Sequence, residues 1–166
     1  MKEKREIIVA TDDTIGDIVE REIAKYGNAA DLNHIDVSRV TAMNEMFMDS
    51  AFNGDISKWN VSRVTAMCEM FRDSRFSGDI SGWDVSHVTN MGGMFFNSRF
   101  DGDISGWDVS SVADMGGMFQ NSDFDMNEMF SAFRFGGDVT AWLPETERNG
   151  VSPFDEDDNL DDELPF

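Results

Sequence analysis

Residues 24 positions apart copy one another through most of this chain, and no other feature limits its fold as strongly. Trp59, Trp83 and Trp107 keep that interval, as do Phe47, Phe71, Phe95 and Phe119, and Phe52, Phe76, Phe100 and Phe124. Gly54, Gly78 and Gly102 follow it, with Ile56, Ile80 and Ile104, and Met43, Met67, Met91 and Met115. A segment this short cannot bury its own apolar face, so copies must stack and align equivalent residues in columns.

Within a unit, Met43, Met46 and Phe47 stand at i, i+3 and i+4, as do Met67, Met70, Phe71 and Met91, Met94, Phe95. That spacing predicts one helical turn with all three side chains on one face. Asp79-Ile80-Ser81 and Val85 to Thr89 are short, β-branched and partly alternating, and predict brief strands. A buried Trp or Phe removes about 150–250 Å² from water, or roughly 4–6 kcal/mol as an upper bound, so the aromatic columns can hold a stack together. Met, unbranched and adaptable, fills the gaps between them.

The register breaks after Phe124-Asp125. Met126-Asn127-Glu128-Met129-Phe130 copies Met43 to Phe47 thirteen residues early, and Phe135 to Trp142 restores the pattern of Phe52 to Trp59. A half-unit deletion and an irregular last coil are expected there. At the other end Ile7 to Thr11 predicts a strand. Asp12-Asp13-Thr14 then opens a helix whose apolar face is Ile15, Ile18, Val19, Ile23 and Ala24, stopped by Gly27. The expected organisation is a strand-helix cap over residues 1–34, a repeat array over 35–142 and an acidic tail over 143–166.

The unit Gly-Asp-Ile-Ser-x-Trp-Asp-Val-Ser-x-Val-Thr-x-Met-x-x-Met-Phe resembles the repeat of BspA-like leucine-rich-repeat surface proteins and of a related domain of unknown function in mycoplasma lipoproteins. The resemblance covers Asp31 to Trp142, with a leader at Tyr26-Gly27-Asn28 and Asp31 to Ser38. It implies an α+β, leucine-rich-repeat-like solenoid of about four 24-residue coils, each made of short strands plus a helical turn. It further implies protein binding, commonly in adhesion.

Charge restricts the partner. The 33 acids and 13 bases give −20, about −3 for residues 1–34, −9 for 35–142 and −8 for 143–166. Such a field repels DNA, RNA and anionic lipid, so direct nucleic-acid and membrane binding are excluded and a basic protein surface is expected. Asp55, Asp79 and Asp103 share one position, continued by Asp138. Asp36, Asp84 and Asp108 share another, interrupted by Asn60. Two compatible readings stand: Asp residues that close local turns by accepting backbone hydrogen bonds, and a negative stripe offered to a cationic partner. The tail adds Asp155, Glu156, Asp157, Asp158, Asp161, Asp162 and Glu163, interleaved with Phe154, Leu160, Leu164 and Phe166. It reads as a solubility segment or as contact surface. It is no calcium loop, since Leu160 and Phe166 stand where Gly and Glu are required.

No catalytic, cofactor-binding or metal-binding constellation is found. His34 and His87 occupy different unit positions, and no His or Cys spacing matches a zinc site. Cys68 stands where other units carry Asn44, Gly92 and Gly116, and Ser38, Ser62, Ser86 and Ser110 recur too often for a nucleophile. The lone cysteine and the absence of an apolar leader lead to the expectation of a cytoplasmic protein. The expected function is therefore non-enzymatic: an inhibitor that occupies the basic surface of a nucleic-acid-binding protein as a nucleic-acid mimic, for example a phage-type anti-CRISPR or anti-restriction protein. The alternative is an adhesion or cell-surface interaction module.

Overall fold

The computed structural model describes residues 5–124. Strand β1 (Ile8–Val9) is followed by helix α1 (Ile15–Tyr26) and strand β2 (Ile35–Asp36), and β1 pairs with β2 in parallel, Ile8 beside Ile35. Gly27 ends α1 at φ 87°, its N–H donating to the Ile23 carbonyl 2.7 Å away. Ile15, Ile18 and Val19 are buried as the sequence predicts, but Ala24 is exposed and Glu22 takes a place on the buried face.

Beyond β2 the chain contains no further strand or helix among the described residues, and the expected strands at Asp79–Ser81 and Val85–Thr89 are replaced by turns at Ser81-Gly82 and Ser86-His87. The cause is local. Asp79 and Asp84 accept the Ser81 and Ser86 N–H groups at 3.0 and 3.1 Å, which bends the backbone where an extended ladder would have to run straight.

The Met-Phe segment is likewise a run of successive turns rather than α-helix. Met70, Arg72 and Ser74 N–H groups donate back to the carbonyls of Met67, Glu69 and Phe71 at 3.1–3.3 Å. The intervening N–H groups of Met67, Glu69, Phe71 and Asp73 instead donate to Asn90, Gly92, Met94 and Phe96, 23 residues on, at 2.8–2.9 Å. Alternate donors thus serve the turn and the neighbouring unit. To do so the backbone passes through the left-handed region at Glu45 and Asp49, Glu69 and Asp73, Gly93 and Asn97, and Gly117 and Asn121.

Residues 24 apart lie side by side. Isolated parallel bridges join Ala42 to Ala66, Ala66 to Asn90, Asn90 to Asp114, and Asp31 to Asp55. Phe47, Phe71, Phe95 and Phe119 form a stacked column with centroids 5.4–5.6 Å apart and planes within 9°. A second column, Phe52, Phe76, Phe100 and Phe124, with successive centroids 6.0–6.4 Å apart, runs beside it at 4.2–4.9 Å. Each Trp tilts against the first column and donates its indole N–H to a carbonyl 27 residues back: Trp59 to Leu32, Trp83 to Ile56, Trp107 to Ile80. The buried rings therefore leave no indole donor unsatisfied. Gly54 shows how tight the packing is, since a Cβ there would stand 2.0 Å from the Ala30 carbonyl oxygen and 2.6 Å from the Phe52 ring.

Two devices attach the N-terminal segment. Asp12 accepts the Thr41 N–H at 2.6 Å, the Thr41 hydroxyl at 2.7 Å and the Ala42 N–H at 3.2 Å. In the following units the N–H groups of Thr65 and Thr89 donate to the carbonyls of Thr41 and Thr65, so the Asp12 carboxylate substitutes for a carbonyl of a unit that does not exist. Glu22 of α1, 5% exposed, meets His34 Nε2 at 3.0 Å and Arg21 Nε at 3.4 Å. Burial acts to raise the Glu22 carboxyl, but the His34 and Arg21 interactions together outweigh it and hold the group below its ordinary value.

Candidate functional site

Both aspartate columns are turn positions generated by the same local chemistry, exposed at every described member except the half-buried Asp36. In the first, Asp31, Asp55, Asp79 and Asp103 accept the N–H two residues on, from Asn33, Ser57, Ser81 and Ser105, at 2.9–3.0 Å. In the second, Asp36, Asn60, Asp84 and Asp108 accept from Ser38, Ser62, Ser86 and Ser110 at 3.0–3.2 Å. Ser57, Ser62, Ser81 and Ser86 also donate their hydroxyls to the same oxygen at 2.6–2.7 Å. The local reading of these acids is thus realised at every described position.

Asn60 is an internal control. Its side-chain oxygen takes the Ser62 N–H at 3.2 Å and the Ser62 hydroxyl at 2.7 Å, nearly the contacts that Asp84 makes with Ser86. A neutral amide closes the turn, so turn closure alone does not require the charge carried at the other positions.

The charges cost something to assemble. Ser81 hydrogen bonds hold the Asp79 carboxyl below its ordinary value, while slight burial and then the Asp55 and Asp103 carboxylates push it the other way. Asp84 is lowered by Ser86, with His87 assisting and Asp108 opposing. Asp103 and Asp108 are lowered by Ser105 and Ser110. Asp55 is lowered first by Asn33 and then by Ser57. Hydrogen bonding to the charged form outweighs like-charge repulsion along each column, so all five remain anionic at neutral pH.

The 24-residue period reaches acids not singled out above. Asp31 lies one interval before Asp55 and bridges to it, and Asp114 ends the column that begins Ala42, Ala66, Asn90. The period also exposes a basic column beside the second acid column: Arg39, Arg63 and His87, followed by Ser111. The balance consequently drifts along the array. Residues 52–75 carry three acids and four bases, residues 76–99 two acids and one base, and residues 100–124 five acids and no base. The five, Asp101, Asp103, Asp108, Asp114 and Asp123, are all exposed. Asp138 and the tail acids Asp155 to Glu163 lie outside the described residues.

Other candidate groups are accounted for by their surroundings. Burial pushes the Cys68 thiol up, and the Glu69, Asp114 and Glu45 carboxylates add to that, which disfavours the reactive thiolate. Ser86 donates to Asp84, and its oxygen lies 3.3 Å from His87 Nδ1. The same Ser-to-Asp or Ser-to-Asn bond recurs at Ser57, Ser62 and Ser81, where no His accompanies it. Among the described residues no group of three His, Cys, Asp or Glu side chains is placed to hold a metal ion, and no helix is long and apolar enough to cross a membrane.

No curated protein and no solved structure matches the chain. Residues 20–124, from mid-α1 to the last described unit, do match the model of a family described as Mycoplasma protein of unknown function, DUF285. That span contains the stacked aromatic columns and both aspartate columns as far as the described residues carry them, and the chain belongs to this Mycoplasma family of unknown function.

Proposed function

We propose that the array is a leucine-rich-repeat-like solenoid acting as a non-enzymatic protein-binding module, whose acidic edge enters the basic surface of a nucleic-acid-binding protein in place of the nucleic acid. The carrying observation is Asn60: the turn closes with a neutral side chain, yet seven of the eight described turn positions carry a carboxylate. At the usual strand spacing of about 4.8 Å, two such columns supply about one charge per 2.4 Å of stack, comparable to about one per 1.7 Å along duplex DNA. Loss of bases toward residues 100–124 concentrates the negative field at one end, where the acid-rich residues 125–166 continue the chain. A cationic groove that normally holds phosphates would meet these acids through charge-assisted hydrogen bonds.

Immobilised full-length chain, challenged with the heparin-retained proteins of a bacterial lysate, tests this. Retained proteins should be released by duplex DNA and by raising salt from about 50 to 200 mM. The variant with Asp55, Asp79, Asp84, Asp103 and Asp108 all changed to Asn should capture far less. Capture indifferent to DNA, or to those five substitutions, would refute the reading.

A second reading rests on the resemblance of the repeat alone: a BspA-like surface module that binds host proteins through its repeats. It requires binding to extracellular-matrix proteins that persists at high salt.

A further inference from the structure

The three large apolar side chains that stand exposed among the described residues gather at the N-terminal segment: Ile7 at 66%, Val9 at 49% and Tyr26 at 40%. Ile7 and Val9 lie beside and within β1, whose outer side is unpaired among the described residues, and Tyr26 ends α1. Ile8 and Ala10 direct their N–H groups toward β2, donating to His34 and Asp36 at 3.0 and 2.9 Å. By strand alternation the N–H and C=O of Val9 point the opposite way, and β1 ends its two-stranded sheet. Beside this edge the Arg5 guanidinium lies 3.8 Å from the Tyr26 ring centroid and the Lys25 ammonium 4.7 Å from it.

Charge selects the occupant. Residues 1–27 hold seven acids and five bases, whereas residues 125–166 hold twelve acids and two bases. Two copies of a −20 chain repel overall, and contact through the nearly balanced residues 1–27, where the exposed apolar side chains lie, keeps their most acidic segments apart. Because β1 flanks the first unit, contact there leaves the acidic units 100–124 four steps from β1 in each copy. At about 4.8 Å per step, with one more step between the two β1 strands, the acidic units are separated by roughly 43 Å, about five times the screening length at physiological salt.

We propose that β1 is a self-association edge: it pairs antiparallel with β1 of a second copy across a two-fold axis, the Val9 residues exchanging N–H···O bonds. Val9 faces its counterpart on the axis, Ile7 lies opposite Thr11 and diagonal to Val9 of the second copy, and the anionic ends point apart. The contact is small and therefore reversible. Its salt response has the opposite sign to that of the proposed partner binding. Screening strengthens it, so the two readings fail separately.

Sedimentation of the full-length chain over a concentration series at low and at about 0.5 M salt reads this directly. A dimer whose population grows with salt is expected, together with slowed hydrogen exchange at the Val9 amide in the concentrated sample. Ile7→Lys/Val9→Lys should weaken dimerisation at least about tenfold and leave the melting temperature nearly unchanged, since both side chains are exposed. A chain that stays monomeric at about 1 mM, or a dimer indifferent to the double substitution, overturns the proposal. So does a Val9 amide equally protected in dilute monomer, which would mean that another segment of the same chain occupies the edge.

Discussion

The inside of the array and its rim obey different rules. Inside, successive units are interchangeable: Phe71, Phe95 and Phe119 repeat Phe47 ring for ring, with planes within 9° of one another. At the rim the same interval joins unlike residues, Arg39 to Arg63, His87 and Ser111, or Glu45 to Glu69, Gly93 and Gly117. Stacking explains the contrast. A ring must match the ring above and below it, so a change in one unit is felt by two neighbours, while a rim residue such as Arg39 or Arg63 faces water and has no such matching to satisfy. Identity inside makes the body, and what varies outside can make the function.

The sharpest test of the inside is Phe71→Ala. Phe71 contacts Phe47, Phe76, Phe95 and Trp83, and its removal opens a cavity mid-column. A loss of about 3–5 kcal/mol in urea-unfolding stability is expected. A loss below 1 kcal/mol would mean the columns are not what holds the units together. Gly54→Ala comes next. The added methyl meets backbone at Ala30 rather than a yielding side chain, so about 1–3 kcal/mol should be lost although only one methyl is gained.

Those columns were legible because a fixed interval of bulky apolar residues has one economical packing. The rest required information that the interval does not carry. Glu22 reads as an exposed helix position until His34, twelve residues on, is seen to cover it. The strands expected at Val85–Thr89 fail because the pattern registers that Val85 and Val88 are buried but not that Asp84 closes a turn between them. The left-handed turns were foreshadowed by Gly93 and Gly117, which share a column with Glu45 and Glu69. The aspartates were found by spacing, and their turn-closing role was one of two readings. That the charge is separable from the turn became visible only at Asn60.

The junction between the non-repeating segment and the array should be acid-sensitive. Thr41's backbone and side-chain hydrogen bonds lower the Asp12 carboxyl against slight burial, with Ala42 assisting, and Glu22 is also lowered. A carboxyl whose folded value is depressed contributes stability that is complete above its unfolded value and disappears as pH falls through the folded one. Stability should therefore decline below about pH 4.5, the Asp12 and Glu22 contributions being lost as each takes up a proton. Asp12→Asn should flatten that decline, read as the acid midpoint of the circular-dichroism signal. An unshifted midpoint would show that the carboxylate does not hold the first unit. At the rim, by contrast, Asp79→Asn should leave the melting temperature almost unmoved, because Asn60 already closes the equivalent turn.

A small gain, rather than a loss, is the most diagnostic outcome at the rim. Glu69 sits at φ 53°, where a side chain is strained, and the next two units carry glycine in its place. Glu69→Gly relieves a left-handed strain of about 1–2 kcal/mol and, after glycine's entropic cost of about 0.5–1 kcal/mol, should stabilise the chain by roughly 0.5–1 kcal/mol. Against it stands the Arg72 pair, 2.7 Å long and only partly buried, and pairs still open to water contribute little. The Glu69 side chain also lies over Gly93, with its Cγ 3.2 Å from where a Cβ would stand there, and that cover would be lost. A gain in the urea midpoint would show that the rim keeps Glu69 at a cost to stability, as a residue retained for contact with something outside the chain would be kept. A loss would assign Glu69 to the fold, as the outer layer over Gly93 and the anchor of Arg72.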